Sequence, residues 1–172
     1  MTDAHNRLTA DDIDKASDTT TPGDSTLIPV DELVPHAGDM VLIDQVLACT
    51  ENTLSARVVV APGGLFSNPD GSAPAWLGLE LMAQSIAAWA GWHARQEQRP
   101  VQLGFLLGTR NYRCTVDHFP VGTELRIYID RSLQDDSGIA VFECSIHGPD
   151  LLASVRVNVF QPTDAARYLQ ES

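Results

Sequence analysis

The sequence predicts an α+β fold in which one antiparallel sheet wraps around a long central helix. Residues 72–95 are apolar on almost every face, and a helix of that composition has to be buried. Two β-branched segments precede it and four longer ones follow, with turn residues between them. Because no other predicted element can cover the helix, the sheet must curl around it.

Residues 1–27 are predicted to form a disordered acidic tail. They are rich in Asp, Thr and Ser and poor in large apolar residues, so burial cannot offset the conformational entropy lost on folding. We divide the chain into this tail and one folded domain over residues 28–172, which is long enough for a hydrophobic core. The tail's charged residues are Asp3, Asp11, Asp12, Asp14, Asp18, Asp24, Arg7 and Lys15.

Two strands are predicted before the helix. Residues 28–33 are expected to form a single helical turn, and a loop containing Pro and Gly follows. Residues 41–49 and 53–60 are rich in β-branched side chains and are separated by a turn of hairpin length. Residues 61–71 are rich in Gly, Pro, Asn and Asp, so we expect an irregular loop that leads into the helix.

The central helix has well-marked ends. Ser72 or Ala73 is expected to cap its N-terminus, and Pro74 is tolerated in its first turn. Arg95 suits the negative end of the helix dipole. These signals predict a helix over the whole of residues 72–95.

Glu80, Gln84 and Ser85 are the only polar residues between Trp76 and Trp92. Glu80 and Gln84 are four residues apart, so they share one face of the helix and can contact each other. A charged carboxylate in an apolar setting is costly unless it finds a partner or a proton. Because a general acid must carry a proton, Glu80 is a candidate for that role. The alternative is a structural glutamate that is hydrogen-bonded internally.

Four strands are predicted after the helix. They cover roughly residues 101–115, 123–133, 139–147 and 151–160, with turn residues between them. Side chains alternate most clearly in the last strand, which indicates a sheet with one covered face. One face of that strand carries Ala153, Val155, Val157 and Val159, and the other carries Ser154, Arg156 and Asn158.

This order of elements is the hotdog architecture. A single hotdog unit leaves an edge strand unpaired and part of the helix poorly covered. Pairing with a second hotdog unit, edge to edge, would remove both problems. We therefore expect a dimer, either of two copies of this chain or with another hotdog subunit.

Composition and charge exclude several classes of partner and site. The 11 basic and 23 acidic residues give a net charge of −12, which argues against nucleic acid and anionic membranes. The three cysteines, at positions 49, 114 and 144, have no spacing typical of a disulfide framework or a zinc site. With neither a signal peptide nor a membrane-spanning run, we expect a cytoplasmic protein. We also expect no metal and no cofactor.

Three segments resemble one enzyme family. Residues 35–44, Pro-His-Ala-Gly-Asp-Met-Val-Leu-Ile-Asp, resemble the Pro-His opening of 3-hydroxyacyl-acyl-carrier-protein dehydratases. Glu80-Leu81-Met82-Ala83-Gln84 is similar to their helix motif E-x-M-A-Q, and residues 104–110 resemble the strand that follows. With residues 76–78 and 90–93 added, the chain is most similar to the dehydratase-like branch found in aryl polyene gene clusters. The likeness spans about residues 28–162.

The resemblance implies a reaction and two catalytic groups. The family dehydrates a 3-hydroxyacyl thioester to the trans-2-enoyl thioester. A histidine takes the α-proton, and an acid on the central helix helps the hydroxyl leave. Glu80 matches the helix acid. In the fatty-acid branch the base lies in a Gly-His-Phe-Pro loop, but residues 64–69 of this chain, Gly-Leu-Phe-Ser-Asn-Pro, contain no histidine.

His36 is the candidate base, because it is the only histidine between the tail and the helix. Its imidazole suits proton abstraction near neutral pH. His118 is a weaker candidate, and Asp39 and Asp44 are candidates to orient His36. His93 and His147 are expected to be structural.

Substrate-binding groups are expected around the start of the helix. A thioester enolate needs donors where negative charge develops, and free N–H groups of Ala75, Trp76 or Leu77 would supply them. Gln84 would hold the Glu80 carboxyl group in place. The side chains of Phe66 and Trp76 would form a wall of an acyl tunnel, the alternative being an ordinary place in the core.

The resemblance also implies an acyl carrier protein as partner, with the acyl substrate linked through phosphopantetheine. Acyl carrier proteins are acidic, so docking needs a local basic patch. Arg110 and Arg113 are the main candidates, and Arg95 and Arg99 are further ones. The alternative is that these arginines only solvate the surface.

These observations predict a dehydratase of 3-hydroxyacyl chains on a carrier protein, with Glu80 as acid and His36 as base. Two alternatives stay open. A hotdog acyl thioesterase would use Glu80 to activate water and would need no histidine. A catalytically degenerate, acyl-binding subunit of a heteromeric dehydratase would account for the missing loop histidine.

Overall fold

The computed structural model describes residues 28–162. The predicted acidic tail, residues 1–27, lies outside the described residues, as do residues 163–172. The elements are therefore those of the central part of the chain.

A six-stranded antiparallel sheet forms most of the domain. All six predicted strands are present. They are β1 (Gln45–Cys49), β2 (Thr53–Val59), β4 (Phe105–Cys114), β6 (Glu124–Gln134), β7 (Ile139–Gly148) and β8 (Leu151–Phe160). Along the sheet the order is β1-β2-β6-β7-β8-β4, so the strand after the helix lies at one edge and the first strand at the other.

Two short strands were not expected from the sequence. The strand β3 (Ala73–Pro74) pairs antiparallel with β5 (His118–Phe119). The N–H of Ala75 continues this pairing by donating to the carbonyl of Asp117 at 3.0 Å. Two-residue strands carry no periodicity, so the sequence gives no signal for them.

The central helix α1 (Leu77–Gln96) is confirmed, but it starts five residues later than predicted. Ser72 and Ala73 do not cap it, and Pro74 does not lie in its first turn, because this segment is extended and pairs with β5. Trp76 occupies the N-cap position and its side chain makes no capping hydrogen bond. Tertiary pairing therefore overrides the local start signal.

The sheet covers most of the helix surface. Eleven of its twenty residues are buried, including Met82 and Ala88, which pack in the core with Ile127 and Phe142 from the sheet. The predicted alternation in β8 is confirmed, because its core-facing side chains from Ala153 to Val157 are buried. The expected α+β hotdog architecture is thus observed.

The helical turn predicted within residues 28–33 is present, but the start of the first strand differs from the prediction. A 3-10 turn (Val30–Glu32) packs on the helix so closely that a Cβ on Gly91 would lie 1.9 Å from the carbonyl oxygen of Leu33. Residues 41–44, predicted to begin the first strand, instead follow a second 3-10 turn (Gly38–Met40). They connect this turn to the sheet through a hydrogen bond from Asp44 N–H to Arg57 O at 2.9 Å.

Among residues 28–162, no helix has both the length and the apolar character needed to cross a membrane.

Candidate active site

A cavity of about 210 Å³ runs along the one stripe of α1 that the sheet leaves partly uncovered. Glu80, Ala83, Ala87 and Ala90 line it from the helix, at the three- and four-residue spacing of a single helix face. The small alanine side chains leave room between the helix and the sheet. The remaining walls come from the 35–36 loop and from the ends of β4, β6, β7 and β8.

His36 and Glu80 meet at this cavity, although they are far apart in the sequence. The distance from His36 Nε2 to Glu80 Oε1 is 3.6 Å, and the side chains are 28% and 35% exposed. Both groups are therefore partly shielded and still accessible from the cavity. The fold brings together the two residues that the sequence nominated as base and acid.

The other imidazole nitrogen of His36 has an unusual environment. Nδ1 is buried and has no hydrogen-bond partner among residues 28–162. A buried polar atom without a partner costs about 1–3 kcal/mol, so an acceptor or donor from outside this part of the chain would be favourable here. The candidate orienting residue Asp44 does not fill this role, because its carboxylate accepts from Val59 N–H at 2.8 Å. Asp39 is exposed in the second 3-10 turn.

Gln84 is fully buried and joins the helix to the loop before β1. Its Nε2 donates to Glu80 Oε1 at 2.9 Å and to the carbonyl of Met40 at 2.8 Å. Its Oε1 accepts from Leu42 N–H at 2.9 Å. The predicted contact between Gln84 and Glu80 is thus present, and the same amide also fixes residues 40–42.

The start of the helix offers fewer donors than expected. Because Ala75 N–H donates to Asp117 O, it is not free for a substrate, and that candidate donor is wrong. Trp76 and Leu77 remain as candidates. Tyr112 on β4 donates its hydroxyl to Ala75 O, and burial raises the pKa of this hydroxyl, which stays protonated as a donor.

The two aromatic residues proposed as tunnel walls lie elsewhere. Phe66 and Trp76 contact each other edge to face, with ring centroids 5.7 Å apart. Trp76 is 58% exposed, and neither residue lines the cavity at Glu80. The cavity at Glu80 is lined instead by the alanines of α1 and by Phe142, so the predicted wall role of Phe66 and Trp76 does not apply to this cavity.

The remaining histidines of residues 28–162 lie away from Glu80. His93 Nε2 contacts Thr50 O at 3.1 Å and His147 Nε2 contacts Ser145 Oγ at 3.1 Å. Burial lowers the pKa of both imidazoles, which fits the structural role expected for them. His118 is exposed on β5 and does not line the cavity.

The candidate docking arginines differ in their pairing. Arg110 and Arg113 are exposed on the edge strand β4 and form no ion pair within residues 28–162. The two further candidates are neutralised, Arg95 by Glu32 at 2.6 Å and Arg99 by Glu97 at 2.7 Å. Of the four, Arg110 and Arg113 are the ones with charge available for an acidic partner.

Sequence reasoning missed Tyr112 and the glutamines of the cavity. Tyr112 contacts Ala75, just before the helix, from a point where β4 is irregular between Arg110 and Arg113, with Asn111 at a φ of 58°. Three separate segments bring Gln102, Gln134 and Gln161 to the cavity. Isolated glutamines in loops and strand ends carry no motif, so only the fold reveals that they converge.

The chain matches known proteins over most of its length. The family model described as ApeP-like, ApeP dehydratase, matches residues 28–170. Among solved structures, the dehydratase heterocomplex ApeI:P from Xenorhabdus doucetiae is 36% identical, with a TM-score of 0.76, over 84% of this chain and 99% of that chain. The resemblance drawn from the motifs is confirmed. Comparison with curated proteins found no match.

More distant structures share the fold alone. A hypothetical thioesterase with coenzyme A from Streptococcus pneumoniae is 13% identical, with a TM-score of 0.52, over 67% of this chain and 83% of that chain. An uncharacterised protein from Pyrococcus horikoshii is 11% identical, with a TM-score of 0.56, over 81% of this chain and 98% of that chain. At these identities the likeness does not extend to chemistry.

Proposed function

The chain belongs to the ApeP-like dehydratase family, and on that basis we propose that it dehydrates 3-hydroxyacyl thioesters carried by an acyl carrier protein to trans-2-enoyl thioesters. The observation that carries the proposal is the 3.6 Å approach of His36 Nε2 to Glu80 Oε1 at a cavity lined by alanines. A base, an acid and an apolar channel are the parts that this elimination requires.

Elimination of water needs one proton taken and one delivered. His36 takes the α-proton through Nε2, and Glu80 in its protonated form delivers a proton to the 3-hydroxyl, which leaves as water. The electron pair of the broken C–H bond forms the new C=C bond as the C–O bond breaks. At 3.6 Å the His36 nitrogen and the Glu80 oxygen are too far apart for a direct hydrogen bond, and they lie side by side at the cavity, so one substrate can contact both groups from the same side.

Gln84 decides which oxygen of Glu80 acts. Because its Nε2 donates to Oε1, that oxygen serves as an acceptor. The proton of the acid form then belongs on Oε2, which no described residue engages. Gln84 is thus a positioning residue that turns Oε2 toward the substrate hydroxyl. The N–H groups of Trp76 and Leu77, at the positive end of the helix dipole, would stabilise the developing enolate.

Arg110 and Arg113 are proposed to dock the carrier protein. Their two unpaired charges stand on either side of Tyr112, which contacts the segment immediately before α1. A phosphopantetheine arm bound near these arginines would therefore start close to the end of the helix that carries Glu80. Guanidinium groups suit phosphate and carboxylate partners.

A second hotdog subunit is the proposed protein partner. The 36% identical structure is named as a heterocomplex, and β4 is an edge strand whose far side has no neighbour within the described part of the chain. Its exposed apolar residues Leu106 and Leu107 favour burial against another strand. A partner that also supplied an acceptor for His36 Nδ1 would fix the imidazole with Nε2 free to act as base.

A catalytically degenerate subunit is the second candidate function. It is favoured by the absence of histidine from residues 64–69 and by the unpartnered His36 Nδ1. In that case the chain would bind acyl groups and complete the active site of its partner. For either function, the free cysteines Cys49, Cys114 and Cys144 fit a reducing compartment, and we propose that the protein acts in the cytosol.

The test follows enoyl formation from a 3-hydroxyacyl-carrier thioester by mass and ultraviolet absorbance. Parent, Glu80→Gln and His36→Ala are compared, with His118→Ala as the matched histidine control. We expect each site variant to lose at least about a hundredfold in kcat, the usual contribution of a positioned acid or base. The control should retain parental activity.

The outcomes separate the candidate functions. Loss only in Glu80→Gln would assign the base to another residue. No turnover by the pure parent, followed by turnover on addition of a second hotdog subunit, would favour the degenerate-subunit function. Release of free thiol without enoyl product would refute the dehydratase and indicate thioester hydrolysis.

A further inference from the structure

The lining of the cavity at Glu80 includes three glutamines, of which Gln134 lies toward the end remote from Glu80. Glu80 and Trp89 both line the cavity, and nine residues of α-helix place them about 14 Å apart along the axis. Trp89 lies near the end of β6, where Gln134 pairs with Ala140 at the start of β7. The reactive end and this far end therefore lie on opposite sides of the alanine stripe.

A second cavity, which is open to solvent, shares Gln134 with the first. It has a volume of about 430 Å³ and lies among polar side chains of the turn between β6 and β7, including Ser132, Asp135 and Asp136. We call the cavity at Glu80 the inner cavity and this one the outer cavity. Gln134 borders both of them. One exposed side chain thus borders both the cavity along the alanine stripe and an open, polar space.

Arg131 holds Gln134 in this place. Its Nη1 donates to Gln134 Oε1, and its Nη2 donates to Asn52 Oδ1 at 2.7 Å. The guanidinium also lies 4.9 Å from the ring of Trp89, in the range of a cation–π contact. Arg131 is therefore tied to the inner cavity wall on one side and to Gln134 on the other.

We propose that Gln134, held by Arg131, is the partition that ends the acyl-chain site and so sets the longest acyl chain that the inner cavity accepts. The inference rests on the proposed function, because it takes the inner cavity as the place of the acyl chain. Chains that stop before Gln134 bury every methylene against alanines and Phe142. Longer chains must break the hydrogen bond between Arg131 and Gln134 and push an apolar end among polar side chains.

The test is direct binding of acyl amides, in which an amide replaces the reactive thioester, from octanoyl to hexadecanoyl, measured by calorimetry on the full chain. Each methylene buried in the inner cavity should tighten binding about fourfold, until affinity stops rising at a limiting length. Removing the partition in Gln134→Ala should let affinity rise for two further methylenes, so that the longer chains bind about fifteenfold more tightly than to the parent. Short chains should bind as before.

Two further variants separate the partition from general effects. Arg131→Met keeps an apolar stem over Trp89 but cannot hold Gln134, so it should also move the limit to longer chains. Asp136→Ala borders only the outer cavity and should leave the limit unchanged. A limit that stays fixed in Gln134→Ala, or that moves equally in Asp136→Ala, would overturn the proposal.

Failure of the underlying function gives a different result. If no acyl amide binds the parent at any length, the assignment of the inner cavity to the acyl chain is refuted, and the partition with it. If amides bind but the limiting chain length is the same in the parent and in Gln134→Ala, only the partition is refuted. Near-ultraviolet circular dichroism of each variant checks that its core is still packed.

Discussion

Replacing Gln84 with methionine should destabilise the protein by about 2–4 kcal/mol, because it removes three buried hydrogen bonds. The fully buried amide contacts Glu80, Met40 O and Leu42 N–H at distances of 2.8–2.9 Å. Methionine has nearly the same length and fills the space, so the cost comes from lost hydrogen bonds and not from a cavity. Leu42 N–H and Met40 O would be left without this partner.

The measurement is urea unfolding of Gln84→Met, compared with the parent and with Gln96→Met. Gln96 is the last residue of the same helix and is exposed, so its replacement should change the free energy of unfolding by less than about 0.5 kcal/mol. Turnover should also fall in Gln84→Met, since Glu80 loses the donor that orients it. If Gln84→Met unfolds at the parental urea concentration, the amide is not the anchor of the 40–42 loop and the reasoning is wrong.

Two further predictions concern stability. Gly91→Ala should lower the free energy of unfolding by about 3 kcal/mol or more, because the new Cβ would lie 1.9 Å from Leu33 O. Gly108→Ala is the control in thermal unfolding, since a Cβ there meets nothing within 4 Å. Equal melting temperatures of the two variants would show that the 3-10 turn can move away. Burial lowers the pKa of His93 below its ordinary value of 6.5, so the unfolded chain binds this proton more readily and stability should fall as pH drops below 6.5. A urea midpoint that is constant from neutral pH down to pH 5 would contradict the predicted loss of stability at low pH.

The candidate site shows where sequence reasoning works and where it stops. Glu80 and Gln84 share a helix face, so their contact follows from the 3.6-residue period alone. Which arginines form ion pairs does not follow from any local pattern, because Arg95 pairs with Glu32, 63 positions away in the chain. For the same reason the sequence could not show that the N–H of Ala75 is unavailable to a substrate, because it donates to Asp117 O, 42 positions later in the chain. Local patterns nominate chemical groups, whereas long-range contacts decide which of them stay available.

The sequence by itself determined the order of the six main strands and the buried helix, because strand and helix periods are local properties of the chain. Its resemblance to a known family also nominated Glu80 and His36 as candidate acid and base. Only the tertiary structure decided that His36 lies 3.6 Å from Glu80, that the helix starts at Leu77, and that Gln134 borders two cavities. Each of these depends on segments that are distant in sequence and are brought together by burying the helix within the sheet. That burial is a property of the whole chain, and no window of sequence contains it.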